Sequence, residues 1–159
     1  MKIRTGFGYD IHQLVEGIDF ILGGVKLEHH KGAKGHSDAD VLIHAICDAI
    51  LGAANMRDIG CLFPDNDPQF KGIDSRLLLK DVMRQVRLKG YELSNIDSTV
   101  VLERPKVNPH VDKMKKVLAE VMEIDEDQIS IKATTSEKMS FVGKEDGVKA
   151  YANVLIYKG

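Results

Sequence analysis

Asp10 and His12, near the start of the chain, are separated only by Ile11. On a strand, alternate residues project from one face, so the carboxylate and the imidazole would point the same way. Such a pair is common on protein surfaces and means little alone. A second group of donors follows in His36-Ser37-Asp38-Ala39-Asp40, which runs into Val41-Leu42-Ile43-His44, with Asp48 one turn further. At about 100° per residue, successive members of Asp40, His44 and Asp48 fall about 40° apart, roughly opposite Leu42, Ile46 and Ala53. Read alone, that stripe is a solvated helix face with a capping aspartate. Joined to Asp10 and His12, His44 completes a set of oxygen and nitrogen donors. Three protein ligands with one position open is the pattern of a catalytic zinc site, whereas structural zinc usually closes with four. Two imidazoles favour zinc, manganese or cobalt over magnesium. Asp40 or Asp48 is then expected to hold a ligand histidine from behind.

Donors for phosphate are scattered. There is no Walker A sequence, and Gly6-Phe7-Gly8 lacks the third glycine of a dinucleotide fingerprint. Gly23-Gly24 reads as a hairpin turn. His36 and Ser37 precede an expected helix N-terminus, where backbone N–H groups favour anions. Arg104-Pro105-Lys106 closes one strand, and Ala133-Thr134-Thr135-Ser136-Glu137-Lys138 follows another. Three hydroxyls beside a carboxylate and lysines suit phosphate oxygens and a second, oxygen-loving cation, although the same run also reads as a capped turn. No Ser-His-Asp order is present, and Cys47 and Cys61, without CxxC spacing, are expected to be buried free thiols.

The elements that must position these residues follow from periodicity. Helices are expected over Asp38 to Ala54 with Ser37 or Asp38 as cap, from Asp74-Ser75 through Leu78, Val82 and Val86 to Gly90, and from Asn108-Pro109 onward, burying Val111, Met114, Leu118 and Val121. Strands are expected over Lys2 to His12, Ile18 to Leu22, Ile96 to Leu102, Ile129 to Thr134 and Val148 to Tyr157. The last has a second, partly apolar face in Tyr151, Leu155 and Tyr157, which suggests cover by another subunit. Asp58 to Gly72 reads as a long irregular lid with few anchors. The expected fold is α+β, a two-layer sandwich of one mixed β-sheet with three main helices on one face.

Composition narrows the classes. At 159 residues, 43% apolar and 29% charged, the chain suits one globular domain over residues 1–159. Lysine plus arginine number 22 against 24 acidic residues, with no basic run, so nucleic acid is not an expected partner. No apolar stretch is long enough for a bilayer and the start lacks a signal peptide's apolar run, so the expected location is the cytoplasm, with no membrane contact.

Taken in order, these segments resemble the 2-C-methyl-D-erythritol 2,4-cyclodiphosphate synthase family of the non-mevalonate isoprenoid pathway. The resemblance runs through Asp10-Ile11-His12, His36 to Asp40 with His44, Asp58-Ile59-Gly60, Leu62-Phe63-Pro64-Asp65, Phe70-Lys71-Gly72 with Asp74-Ser75, Arg104-Pro105-Lys106 and Lys132 to Lys138. It implies a lyase-type intramolecular phosphoryl transfer on a cytidine diphosphate substrate with release of CMP, by a homotrimer whose sites lie between subunits. It also implies Asp10, His12 and His44 as zinc ligands, His36 and Thr135 as residues that stabilise the transition state, and Glu137 beside a magnesium or manganese ion on the diphosphate. Substrate contacts are implied for Asp10, Ile11, His12, His36, Ser37, Asp58, Ile59, Gly60, Phe63, Pro64, Asp65, Asn66, Asp67 and Lys71. On the cytidine and diphosphate side they are implied for Leu102, Pro105, Lys106, Val107, Asn108, Ala133, Thr134, Thr135, Ser136, Glu137, Phe141 and Lys144. Two positions depart from the family pattern: glycine is usual at Ala39 and arginine at Lys144. Lysine there keeps the charge and loses the bidentate fork. A zinc-dependent phosphodiesterase, or a non-catalytic binder of nucleotides or isoprenoid phosphates, could use the same donors.

Overall fold

The computed structural model describes residues 1–159. Five strands form one mixed sheet in the order β4 (Lys31–Lys34), β1 (Lys2–Glu16), β7 (Gly147–Lys158), β5 (Glu92–Val101), β6 (Ile129–Thr134). Only β5 and β6 pair in parallel. A separate hairpin joins β2 (Phe20–Leu22) to β3 (Val25–Leu27) through Gly23 and Gly24, whose φ of 58° and 74° suit glycine. The short β3 and β4 have too few residues to show a period, and sequence reasoning missed both. It also ended the first strand early, because Gln13 to Glu16 are held in line by pairing with β4 rather than by an apolar alternation.

The helices α1 (Val41–Ala53), α3 (Ser75–Leu88) and α4 (Val111–Met122) cover one face; α2 (Ile59–Leu62) and α5 (Ser140–Gly143) are single turns. α1 lies on β1 and β7. Gly6 and Gly8 allow this: a Cβ on either would stand 1.9 Å from a carbonyl oxygen of α1, Ala49 or Ala45. On its other sides α1 is covered by α3 and by β2, so Leu42, Ile43, Ile46, Ile50 and Leu51 are all buried. Burial of each contributes up to about 1.5–3 kcal/mol. The expected solvated stripe is therefore absent: Asp40 and His44 lie inside.

Asp40, rather than Ser37 or Asp38, caps α1, accepting from the Ile43 N–H. It also accepts from Gly23 N–H at 2.9 Å and Gly24 N–H at 2.7 Å, which ties the hairpin turn to the helix start. α4 begins at Val111, after a 3₁₀ turn over Asn108–His110, and buries Met114, Leu118, Ala119 and Met122; Val111 and Val121 are half-buried. The other face of the sheet is open. Ile3, Phe7, Tyr9, Ile11 and Tyr157 are exposed there, beside half-buried Tyr151 and Leu155. No helix is long and apolar enough to cross a membrane.

Candidate metal centre and phosphate cleft

Asp10 and His12 face the helical layer from β1, while Ile11 between them points to the open face. His44 meets them from the first turn of α1. Asp10 Oδ2 lies 2.8 Å from His12 Nε2 and 3.1 Å from His44 Nδ1, and the two imidazole nitrogens are 3.3 Å apart. A tetrahedral zinc with bonds of 2.0–2.2 Å needs donors about 3.3–3.6 Å apart, so the triangle fits after widening by about half an ångström at its shortest side. His12 Nδ1 is 3.1 Å from the Lys34 carbonyl. A carbonyl only accepts, so Nδ1 carries a hydrogen, and a metal would bind Nε2 in place of the hydrogen it shares with Asp10. These three residues can hold a metal ion.

Electrostatics agree with that geometry. Burial raises the Asp10 pKa, but hydrogen bonds and charge from His12 and His44 outweigh it and take the group down to about 2. Burial disfavours the charged His44 imidazole, yet Asp10 prevails and raises its pKa. The expected support from Asp40 or Asp48 is not found. Asp40 is occupied by the hairpin turn, and Asp48 accepts from the Ile59 N–H at 2.8 Å. His44 Nε2 instead meets Ser75 Oγ at 2.8 Å and Ser37 Oγ at 3.2 Å.

The three donors open into a cavity of about 330 Å³. Of the sequence-derived candidates, His36, Ser37, Ile59, Gly60, Phe63 and Asp65 line it with them; Asp58, Pro64, Asn66, Asp67 and Lys71 do not. Gly35, Asp48, Phe70, Ile73 and Leu78 line it too and were not singled out as substrate contacts. His36 Nε2 is buried without a hydrogen-bond partner, an atom whose partner a ligand could supply. The segment over Asp58 to Gly72 is better anchored than its composition implies. Asp58 and Asp67 cap α2 and a 3₁₀ turn over Pro68–Phe70, Phe63 and Phe70 stack edge to face at 5.3 Å, and the Gly72 N–H donates to the His36 carbonyl. Cys61 in α2 is exposed, contrary to expectation, because the short turn leaves its outer side bare; Cys47 is buried and free.

The late candidates form a different place. Leu102, Pro105, Lys106, Val107, Asn108, Ala133, Thr134 and Thr135 line a cleft of about 110 Å³. Ser136, Glu137, Phe141 and Lys144 lie outside that lining. Glu103, which sequence reasoning passed over, organises the loop: its Oε1 accepts from Ser136 N–H at 2.8 Å and Lys138 N–H at 3.3 Å, in the concavity made by Glu137 and Lys138 at positive φ. No spacing rule could have shown this, since the partners are more than thirty residues apart.

β1, β5 and β6 run in the same direction, so metal donors and phosphate cleft share one end of the sheet. The register Asp10, Ala150, Val100, Ala133 sets them in one row, three strand spacings or about 14 Å apart. One chain does not bring the two groups together.

An α+β sandwich with an Asp/His/His cluster at the mouth of a cavity, at the end of its sheet, defines a protein built to hold a metal beside a small ligand. The model of the YgbB family matches residues 3–157, and the chain belongs to that family. A protein of Parabacteroides distasonis named 2-C-methyl-D-erythritol 2,4-cyclodiphosphate synthase is 64% identical over 158 residues, covering 99% of this chain and 98% of its own length. A Bacteroides fragilis protein of the same name is 62% identical over 156 residues, 98% of each chain. Among solved structures, IspF of Plasmodium falciparum in complex with CDP is 35% identical with a TM-score of 0.87, covering 99% of this chain and 97% of that one. The bifunctional IspDF of Campylobacter jejuni is 41% identical with a TM-score of 0.95; this chain spans 43% of its length.

Proposed function

We propose that this chain, as a single domain, catalyses the cyclisation of 4-diphosphocytidyl-2-C-methyl-D-erythritol 2-phosphate to 2-C-methyl-D-erythritol 2,4-cyclodiphosphate, with release of CMP. The observation that carries the reading is the Asp10, His12 and His44 cluster at the mouth of a cavity, in a chain that belongs to the YgbB family over nearly its whole length. An oxygen of the 2-phosphate attacks the β-phosphorus, the bond to the CMP oxygen breaks, and no water is consumed. A phosphate monoester is already largely dianionic near pH 7, so the chain has no need of a strong base.

What the protein must supply is charge neutralisation and alignment. Asp10, His12 and His44 would hold a zinc ion, supplying Lewis-acid polarisation of phosphate oxygens, and Glu137 would stand beside a magnesium or manganese ion that neutralises diphosphate charge. His36 and Thr135 donate to the oxygens on which charge gathers. Residues Ser37, Asp58 to Gly60, Phe63 to Asp67 and Lys71 hold the erythritol end; Leu102 to Asn108 and Ala133 to Glu137, with Phe141 and Lys144, hold the cytidine and diphosphate end.

A homotrimer supplies both halves of each site, the early half from one subunit and the late half from its neighbour. The three strand spacings between the two groups support this, as does the apolar open face of β1 and β7. A ring joining unlike edges repeats one contact three times and closes. The protein works in the cytoplasm, with neither nucleic acid nor membrane as partner.

Phosphorus-31 NMR of the purified protein with the cytidine substrate tests the reading. Cyclic diphosphate and CMP are expected. Linear hydrolysis products would mark a phosphodiesterase, and unchanged substrate a binding protein.

A further inference from the structure

We propose that Ser75 and Asp38 form a relay that holds a hydrogen on Nε2 of His44, and so leaves Nδ1 as the nitrogen that a metal takes. The inference rests on the reading of Asp10, His12 and His44 as metal ligands and adds two positioning residues behind them.

Ser75 is wholly buried at the first position of α3, and its hydroxyl stands between two partners: His44 Nε2 at 2.8 Å and Asp38 Oδ1 at 2.5 Å. A carboxylate has only acceptors to offer, so the one hydroxyl hydrogen of Ser75 goes to Asp38. The oxygen of Ser75 is then left to accept, and its neighbour Nε2 must donate. The opposite arrangement, Ser75 donating to Nε2, would leave a hydroxyl oxygen facing a carboxylate oxygen at 2.5 Å with no hydrogen between them. On the other side of the ring, Nδ1 shares its hydrogen with Asp10 Oδ2 at 3.1 Å, and it is that hydrogen a metal would displace.

Asp38 is itself held. Its Oδ2 accepts from the Ser75 N–H at 2.9 Å, its Oδ1 from the Asp40 N–H at 3.1 Å, and its own N–H donates to the Ile73 carbonyl. Ser37 Oγ is a weaker second acceptor at 3.2 Å from Nε2, already engaged by the Ala39 N–H. The outcome for His44 matches that for His12, where the Lys34 carbonyl does the same work. One imidazole is thus set by backbone and the other by side chains from two separate segments. Because Ser75 follows directly on the segment that covers the cavity, the relay also anchors the end of that segment to a metal ligand.

The test uses the full chain labelled with nitrogen-15 in histidine. Proton–nitrogen NMR of the zinc-loaded protein reads the His44 Nε2–H and its exchange with water. Chelator competition reads the zinc dissociation constant. Wild type should show a His44 Nε2–H protected from exchange. Ser75→Ala should give a fast-exchanging Nε2–H and zinc binding weaker by about ten- to a hundredfold; Ser75→Thr should restore both, and Asp38→Asn should fall between. A wild-type His44 Nε2–H that exchanges too fast to be seen overturns the relay even if no variant folds. So does Ser75→Ala with a protected Nε2–H and zinc affinity within about twofold of wild type. That failure would leave product formation by the wild type untouched, whereas a wild type that turns over without binding zinc would remove the metal reading itself.

Discussion

The metal centre and the phosphate cleft are built in opposite ways. At the first, each donor sits on a strand or helix whose backbone rests on another backbone, and each imidazole is fixed from behind by an acceptor. At the second, the working groups lie on loops, and Glu103 holds residues 136 and 138 by their N–H groups. A metal needs donors set to within a few tenths of an ångström before it arrives. A diphosphate brings its own oxygens and can draw a loop around them, so looser construction is enough there.

The sharpest way to break this comparison is to disable one region at a time. His44→Ala and Thr135→Ala should each lower turnover by at least about a thousandfold. Only His44→Ala should also lose zinc, measured by metal analysis of the purified protein. Subunits exchanged from an equal mixture of the two should pair an intact early half with an intact late half at about one interface in four, and recover about a quarter of wild-type activity. Exchange proved by mass with no recovered activity would place both halves in one subunit.

Gly8→Ala comes next. Its Cβ would meet the Ala45 carbonyl oxygen at 1.9 Å, a backbone atom that moves only with α1. A loss of at least about 3 kcal/mol is expected, or about 10 °C in Tm, together with weaker zinc binding. Thr134→Ala, on the exposed end of β6, should leave Tm within about 2 °C. If both variants melt alike, the supposed contrast in rigidity fails.

Acidity should separate the regions more gently. With its pKa held near 2, below the ordinary 3.8, Asp10 contributes stability that is present above pH 3.8 and lost as pH falls toward 2, about 2 kcal/mol in metal-free protein. Metal binding runs through His44, whose raised pKa keeps a competing proton. The rise in Tm on adding zinc should therefore grow as pH increases from about 5 to 8, when followed by thermal unfolding. The smallest effect is expected at Ala39, buried with φ at 56° ahead of α1. Ala39→Gly relieves that conformation and loosens the unfolded chain, so denaturant unfolding should shift by no more than about 1 kcal/mol.

The parts of this molecule legible in its sequence are those governed by local rules. The period of Ile129, Ile131 and Ala133 places β6 over its actual range, Gly23-Gly24 marks its hairpin, and the one-residue gap between Asp10 and His12 puts both on one face. His44 could be joined to them because it lies on one helix stripe with Asp40 and Asp48 and completes a set of oxygen and nitrogen donors. Its supports could not be read. A helical wheel nominated Asp40 and Asp48, both drawn off by backbone N–H groups elsewhere, while Ser75 reaches His44 from another helix. The same limit hid Glu103, and it made the segment from Asp58 to Gly72 look unanchored although Phe63 and Phe70 secure it to each other.

The bare surface that Gly6 and Gly8 present to α1 has a consequence for how such a chain can change over time. Spacing between the helix that carries His44 and the strand that carries Asp10 and His12 is set by main-chain atoms, which no substitution elsewhere in the interior alters directly. Side chains on the far side of α1, among them Leu79, Val82 and Met83 of α3, can be exchanged for others of similar volume while the ligand triangle keeps its dimensions. The metal site is thereby insulated from drift in the core, and freedom to vary is concentrated where chemistry does not depend on it.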